Sequence, residues 1–222
     1  MASFLHKLSR ALIVSCQPVV GGPLDTSDIV ARLALAALAG GARGLRIEGV
    51  TNVKAVRAVA DVPIIGLIKR DLTDSSVRIT PLLEDVAQLA EAGADIIAFD
   101  ATERERPVSA EQLCGAAHRA GRLAMADISD AVEARAAVKF GTDIIGTTLS
   151  GYTGDVTPEE PDLDLVRSIV GLGKPVIAEG RIRTPEHAVQ ALQAGAFAVV
   201  VGSAITRPEH ITEWFVTAMA GR

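Results

Sequence analysis

Four polar residues, each directly following an aliphatic run, carry the chemistry this chain can offer. They are Gln17 after ALIVSC, Lys69 after PIIGLI, Asp127 after LAMA and Glu179 after PVIA. Their separations are 52, 58 and 52 residues, so a similar spacing recurs three times. An amine, two carboxyls and an amide brought to one place are groups for moving a proton. A lysine titrates near ~10.4 in water and must be neutral to act as a base. Burial lowers that value, while a neighbouring carboxylate raises it. Lys69 and Glu179 across one pocket could share a proton as base and acid. A structural ion pair is the plainer alternative, but coupled, desolvated titratable groups tend to mark active sites.

A second set of residues is suited to an anion. Gly180-Arg181 and Gly202-Ser203 follow two successive aliphatic runs. Bare backbone N–H groups at such turns can approach a phosphate closely. Arg207, just before Pro208, adds a charge that can pair bidentately. Arg46 projects nearby from another run, whereas Arg104 and Arg106 in the stretch ERER read as a solvated loop. Histidine is informative by position. His6, His118, His187 and His210 fall in the N-terminal segment or on expected helices, which argues against a His-ligated metal or a serine triad. Asp100, Asp127 and Glu179 have the oxygens a hard cation wants but form no motif, so no metal is expected.

The elements that must position these groups alternate strictly. Aliphatic runs at 11–16, 44–48, 63–68, 95–99, 123–126, 143–145, 175–178 and 196–201 read as parallel strands buried on both faces. Helical patterns are expected over 27–39, 52–59, 81–92, 109–120, 130–140, 163–170 and 208–219, with one more opened by Thr184-Pro185 and ended by Gly195. Thr80-Pro81 shows the same opening grammar. The segment 71–80 is the longest irregular stretch, of the kind that is usually functional or mobile.

Eight strand–helix units in 222 residues predict a single (β/α)8 TIM barrel over 1–222, with 1–10 as an N-terminal extension. An open doubly wound sheet rarely needs eight such units. In a barrel, chemistry sits at the carboxyl ends of the strands, and alternate strands supply one layer of side chains. Gln17, Lys69, Asp127 and Glu179 close strands 1, 3, 5 and 7, so they are expected in one layer at the mouth. Alternation then turns Ile65, Leu67 and Ile177 inward.

Composition sets outer bounds. Apolar residues make up 49% and aromatics only 3%, so a large aliphatic core is available. A net charge of −5 argues against nucleic acid as a general partner. Cys16 and Cys114 have no paired spacing and read as buried thiols in a reducing compartment. The first ten residues have no apolar core of signal-peptide length, and no stretch approaches a membrane span of about 18–20 residues. A cytoplasmic protein with no membrane partner is expected.

With these residues in place the chain resembles the N-acetylmannosamine-6-phosphate 2-epimerases. The likeness runs through LIVSCQ (12–17), IIGLIKRD (64–71), ITP (79–81), DATERERP (100–107), MADIS (125–129), GTTLSGYTG (146–154), PVIAEGRIRTPE (175–186) and VVVGSAITRPEHIT (199–212). It is weaker over 1–10 and 18–24. The resemblance implies interconversion of N-acetylmannosamine 6-phosphate and N-acetylglucosamine 6-phosphate by proton removal and return at carbon 2. It implies no redox cofactor, a small sugar phosphate as ligand, and a homodimer. It makes Lys69 the proton-transferring residue and Glu179 its acidic counterpart. Gln17, Arg46 and Asp127 become sugar-positioning or enolate-stabilising groups, and Gly180, Arg181, Gly202, Ser203 and Arg207 fall where phosphate is held. The alternatives are an aldolase using Lys69 as a Schiff base, and a non-catalytic sugar-phosphate sensor.

Overall fold

Eight parallel strands hydrogen-bond in chain order, and the last returns to the first to close a barrel. The computed structural model describes residues 5–221. The strands are β1 (Leu12–Cys16), β2 (Gly44–Glu48), β3 (Ile64–Leu67), β4 (Ile96–Asp100), β5 (Leu123–Asp127), β6 (Ile144–Gly146), β7 (Val176–Ala178) and β8 (Ala198–Val201). The helices are α1 (Ser27–Ala39), α2 (Val50–Arg57), α3 (Leu83–Ala92), α4 (Ala110–Arg119), α5 (Ala131–Lys139), α6 (Leu163–Ile169), α7 (Pro185–Gln193), a short α8 (Ser203–Thr206) and α9 (Pro208–Met219). Each expected strand–helix unit is present, so the fold is a (β/α)8 barrel. No helix among the described residues is long and apolar enough to cross a membrane.

Two apolar layers follow from strand alternation. Ile13, Ile65, Leu67, Met125, Ile177 and Val200 fill the barrel interior, while the other strand face packs on the helices through residues such as Val14, Ile64, Ile97 and Ala126. Leu8, on the 3-10 turn His6–Leu8, is fully buried in the interior cluster and plugs the amino end of the barrel. Gly44 makes room for it, since a Cβ there would lie 2.6 Å from Leu8 Cδ2. Residues 1–4 of the expected extension lie outside the described residues; within 5–10, Leu8 packs into the barrel interior.

Two local expectations are corrected. Thr80-Pro81 does not open a helix. Thr80 has a φ of 46° and its hydroxyl accepts from the Ile68 N–H (3.2 Å) and donates to the Ala98 carbonyl (2.7 Å), so it braces the sheet instead. Helix α3 starts three residues later, with Asp85 accepting from the Leu82 N–H at 3.2 Å. Thr184, by contrast, does cap α7 through the His187 N–H. Nor do Arg104 and Arg106 form a solvated loop. Both close on Asp100, which is fully buried, at 2.5 and 3.1 Å. A buried carboxylate left without partners is strongly destabilising, so this end of β4 requires them.

The segment 71–80 has no helix or strand of its own, but it leaves and rejoins the barrel at a fixed point. Ile79 forms an antiparallel bridge with Lys69, and the Arg70 N–H donates to the Arg78 carbonyl at 3.0 Å. That pinning sets the backbone from which Lys69 projects.

Candidate active site

The carboxyl ends of the strands open on a cavity of about 470 Å³. Eight of the ten residues singled out in the sequence line it, while Arg46 and Asp127 lie behind its wall with exposures of 1% and 0%. The eight are Gln17, Lys69, Glu179, Gly180, Arg181, Gly202, Ser203 and Arg207, and they divide into an ionisable end and an anion-ready end.

At the ionisable end, the alternation of β1 turns Ser15 and Gln17 to the same side. Gln17 Nε2 donates to Ser15 Oγ at 2.8 Å, which leaves its Oε1 to accept from Lys69 Nζ at 2.7 Å. The Lys69 N–H donates to Glu48 Oε1 at 3.2 Å. Lys69 therefore faces the amide of Gln17 and forms no ion pair among the described residues. Its pKa is lowered to about 8 by burial of the amine, then by the positive charges of Arg207 and Arg46, against a weaker pull from Glu48 and Glu179. The residue as a whole is open at the pocket mouth.

Behind this, Arg46 joins two acids. Its Nη2 lies 2.7 Å from Asp127 Oδ2, and its Nε lies 3.3 Å from Glu179 Oε1 without the alignment of a hydrogen bond. Burial weakens the Arg46 charge, and the two acids more than restore it. Both carboxyls have raised proton affinity, chiefly through burial, with Arg46 opposing. Gly146 on β6 leaves the space for this cluster. A Cβ there would lie 2.4 Å from Met125 Cε and 2.7 Å from Asp127 Oδ1.

At the other end, Arg207 donates from Nε to the Gln17 carbonyl at 2.6 Å and forms no ion pair among the described residues. Burial lowers its pKa, the mark of a guanidinium taken out of water without a full counter-charge. Beside it, Gly202 and Ser203 begin α8, whose first N–H groups have no acceptor within the helix. Thr206 Oγ1 donates to the Ser15 carbonyl at 2.7 Å, so α8 and Arg207 are both strapped to β1. Arg181 behaves differently. It has a φ of 57°, and its guanidinium is given to the carbonyls of Ser150 and Glu160, holding the loop after β6 closed over the pocket.

Sequence reasoning overlooked several pocket residues that lay inside the quoted motifs. Thr148 and Tyr152 come from GTTLSGYTG, and His210 comes from the last motif, its Nδ1 3.2 Å from Ser203 Oγ. The signal for Thr148 was a run of hydroxyls, but strand alternation stops at Gly146 and could not say which one faces inward. Cys16 and Cys114 are both free and buried. No group of three or more His, Cys, Asp or Glu among the described residues is placed to hold a metal ion.

A closed barrel that sets a lysine beside a buried arginine–carboxyl cluster, with an unpaired arginine opposite, belongs to the TIM-barrel enzymes that handle anionic substrates. The comparisons narrow this. The family described as "Putative N-acetylmannosamine-6-phosphate epimerase" (NanE) matches residues 30–221, and the chain belongs to that family. Relatives named "Putative N-acetylmannosamine-6-phosphate 2-epimerase" share 55% identity in Glaesserella parasuis and 58% in Yersinia pseudotuberculosis, over 98% and 99% of this chain and 94% of each relative. A "Bifunctional enzyme NanE/NanK" of Brucella melitensis is 59% identical over 97% of this chain and 42% of its own length. The N-acetylmannosamine-6-phosphate 2-epimerase of Clostridium perfringens has a solved structure with a TM-score of 0.93 at 44% identity, over 96% of this chain and 95% of that one. A thiamine phosphate pyrophosphorylase from Pyrococcus furiosus, at 20% identity and a TM-score of 0.63, shares the fold.

Proposed function

We propose that this protein is an isomerase that interconverts N-acetylmannosamine 6-phosphate and N-acetylglucosamine 6-phosphate by deprotonation and reprotonation at carbon 2. The observation that carries the reading is Lys69. Its amine is pushed toward neutrality by burial and two arginines, at the mouth of a pocket backed by two carboxyls. The C2 proton is acidic only beside the aldehyde of the open-chain sugar. Neutral Lys69 takes that proton, the electron pair moves into the aldehyde, and an enolate forms. The protonated amine and the Glu179 carboxyl border the cavity where that negative charge develops. A proton delivered to the opposite face inverts the carbon. The proton leaves and returns with no net oxidation, so the reaction calls for no redox cofactor.

Arg207, with the N–H groups of Gly202 and Ser203, is our candidate phosphate site, because a phosphate supplies the counter-charge Arg207 lacks. Gly180 and Arg181 border it, with Arg181 contributing through its backbone and its hold on the loop. Gln17, Arg46 and Asp127 position Lys69 and Glu179. A cavity of about 470 Å³ suits a hexosamine phosphate. A charged sugar phosphate stays where it is made, which supports a cytoplasmic place. The net charge of −5 argues against nucleic acid. We further infer a homodimer, since α9 has no buried residue and exposes Phe215, Val216 and Met219.

Incubation with N-acetylmannosamine 6-phosphate in heavy water tests the reading. Deuterium at carbon 2 of both epimers is expected, and borohydride should trap no adduct on Lys69. Absence of both exchange and product would sink the proposal.

A further inference from the structure

Thr148, just past β6, stands between the two acids. Its Oγ1 lies 2.7 Å from Asp127 Oδ1 and 3.0 Å from Glu179 Oε2. A hydroxyl has one hydrogen to give and lone pairs to accept with. If both carboxyls were ionised, only one of these contacts would be a hydrogen bond. The other would set oxygen lone pairs against each other in a buried site. Both contacts become hydrogen bonds when one carboxyl carries a proton, donates it to Oγ1, and lets Oγ1 donate to the other.

The charge balance points the same way. The groups facing Glu179 are Arg46 from β2, Lys69 after β3, Asp127 from β5 and Thr148 after β6. Lys69, bonded through its amine to Gln17 and open at the pocket mouth, is the weakest of these influences on Glu179. Asp100, which also bears on Asp127, is already matched by Arg104 and Arg106. One buried arginine is therefore left to balance two buried acids, and a shared proton removes the excess negative charge. The two acids are not equivalent. Asp127 is fully buried and takes Arg46 Nη2 at 2.7 Å, whereas Glu179 has only the misaligned 3.3 Å contact and keeps 15% side-chain exposure to the pocket. The ionised form belongs on Asp127 and the proton on Glu179.

We propose that Thr148 is a positioning residue whose hydroxyl accepts the Glu179 proton in a hydrogen bond and donates its own to ionised Asp127, so that Glu179 is held in its protonated form at the pocket wall. Burial of both carboxyls favours the same state. When Glu179 gives up its proton, the Thr148 hydrogen can turn to it, so the same hydroxyl serves both states.

The test compares infrared spectra of the whole protein near neutral pH with its kinetics. A protonated-carboxyl band that shifts in heavy water is expected in the unsubstituted protein and absent in Glu179→Gln. Thr148→Val, which keeps the shape and removes the hydroxyl, should carry the titration of that band to lower pH, because the acceptor that holds the Glu179 proton is lost. Its kcat should fall ~10–100-fold with KM little changed, the scale of a misplaced catalytic group. Thr148→Ser should recover most of that rate and the original titration, and Thr148→Ala repeats the removal if the valine variant does not fold. The proposal is overturned if the unsubstituted protein shows no such band, or if the band survives Glu179→Gln and vanishes in Asp127→Asn. An unchanged titration and kcat on removing the hydroxyl would overturn it too. The kinetic arm rests on the epimerase reading and the spectroscopic arm does not. A protein with the band but no exchange at carbon 2 would refute the activity and leave the hydrogen-bond assignment standing.

Discussion

At the scale of single residues, Lys69 and Arg207 do opposite things with the same sign of charge. Lys69 is pressed toward neutrality, with a pKa lowered to about 8, and on the proposed mechanism it takes the proton. The neutral fraction therefore grows as pH rises through about 8, and kcat/KM should climb close to tenfold per pH unit below that value. A flat profile between pH 6 and 8 would contradict Lys69 as the base. Stability has its own sign. An unfolded lysine titrates near ~10.4, so between about 8 and that value the unfolded chain holds more protons and stability rises with pH. Below about 8 the cost of the charged amine is fully present. Lys69→Met should abolish deuterium exchange at carbon 2 and leave inorganic phosphate binding intact. Arg207 keeps its charge and, on the proposed function, meets the phosphate. Arg207→Ala should weaken substrate binding by ~10–100-fold, the worth of hydrogen bonds to a charged group, while Lys at that position restores only part. Calorimetric titration with substrate on an exchange-inactive background reads this directly.

At the scale of elements, the site depends on where strands end and what crosses between them. β6 ends on Gly146, where a side chain would enter the space held by Met125 and Asp127. Met125 Cε can swing aside, but Asp127 Oδ1 is fixed by Arg46 and Thr148. Gly146→Ala should cost ~1–3 kcal/mol in thermal or urea unfolding and lower kcat together with it. Wild-type stability and rate would show that the cluster has slack. The strand ends are also where the sequence was most readable. Runs of Val, Ile and Leu ending in Gln17, Lys69, Asp127 and Glu179 located the pocket, because period-two alternation carries parity from the core to the mouth. It did not carry beyond. Lys69 was set opposite Glu179, yet its amine meets Gln17, since side-chain reach decides partners and spacing does not. Thr147 and Thr148 look alike in sequence. One grips the Glu179 backbone and the other its carboxyl, a distinction that arises only where the loop leaves the strand. Arg104 and Arg106 looked like surface charges because nothing in their spacing shows that Asp100, four and six residues back, is buried, and Arg181 meets two loop carbonyls, of Ser150 and Glu160, that sequence distance does not reveal.

At the scale of the whole molecule, the barrel is bounded at one end by Leu8 and along one flank by α9. That helix is twelve residues long with none buried, and a helix of this length is marginal in water unless packing holds it. Two of its side chains nevertheless line the pocket: His210 beside Ser203, and Trp214, over which Arg183 stacks at 5.1 Å. The opposite side shows Phe215, Val216 and Met219 at 67%, 60% and 86% exposure, an apolar patch of the kind that a second subunit covers. Covering it would steady the helix that carries part of the pocket wall. On the dimer reading, Phe215→Glu combined with Met219→Glu should yield monomers in size-exclusion chromatography with light scattering. It should also raise KM several-fold with little change in the pH profile, because α9 loosens while Lys69 and the buried acids stay in place. A double variant that remains dimeric would remove this face from the interface. A monomeric variant with unchanged KM would show that α9 holds its place on the pocket without a partner.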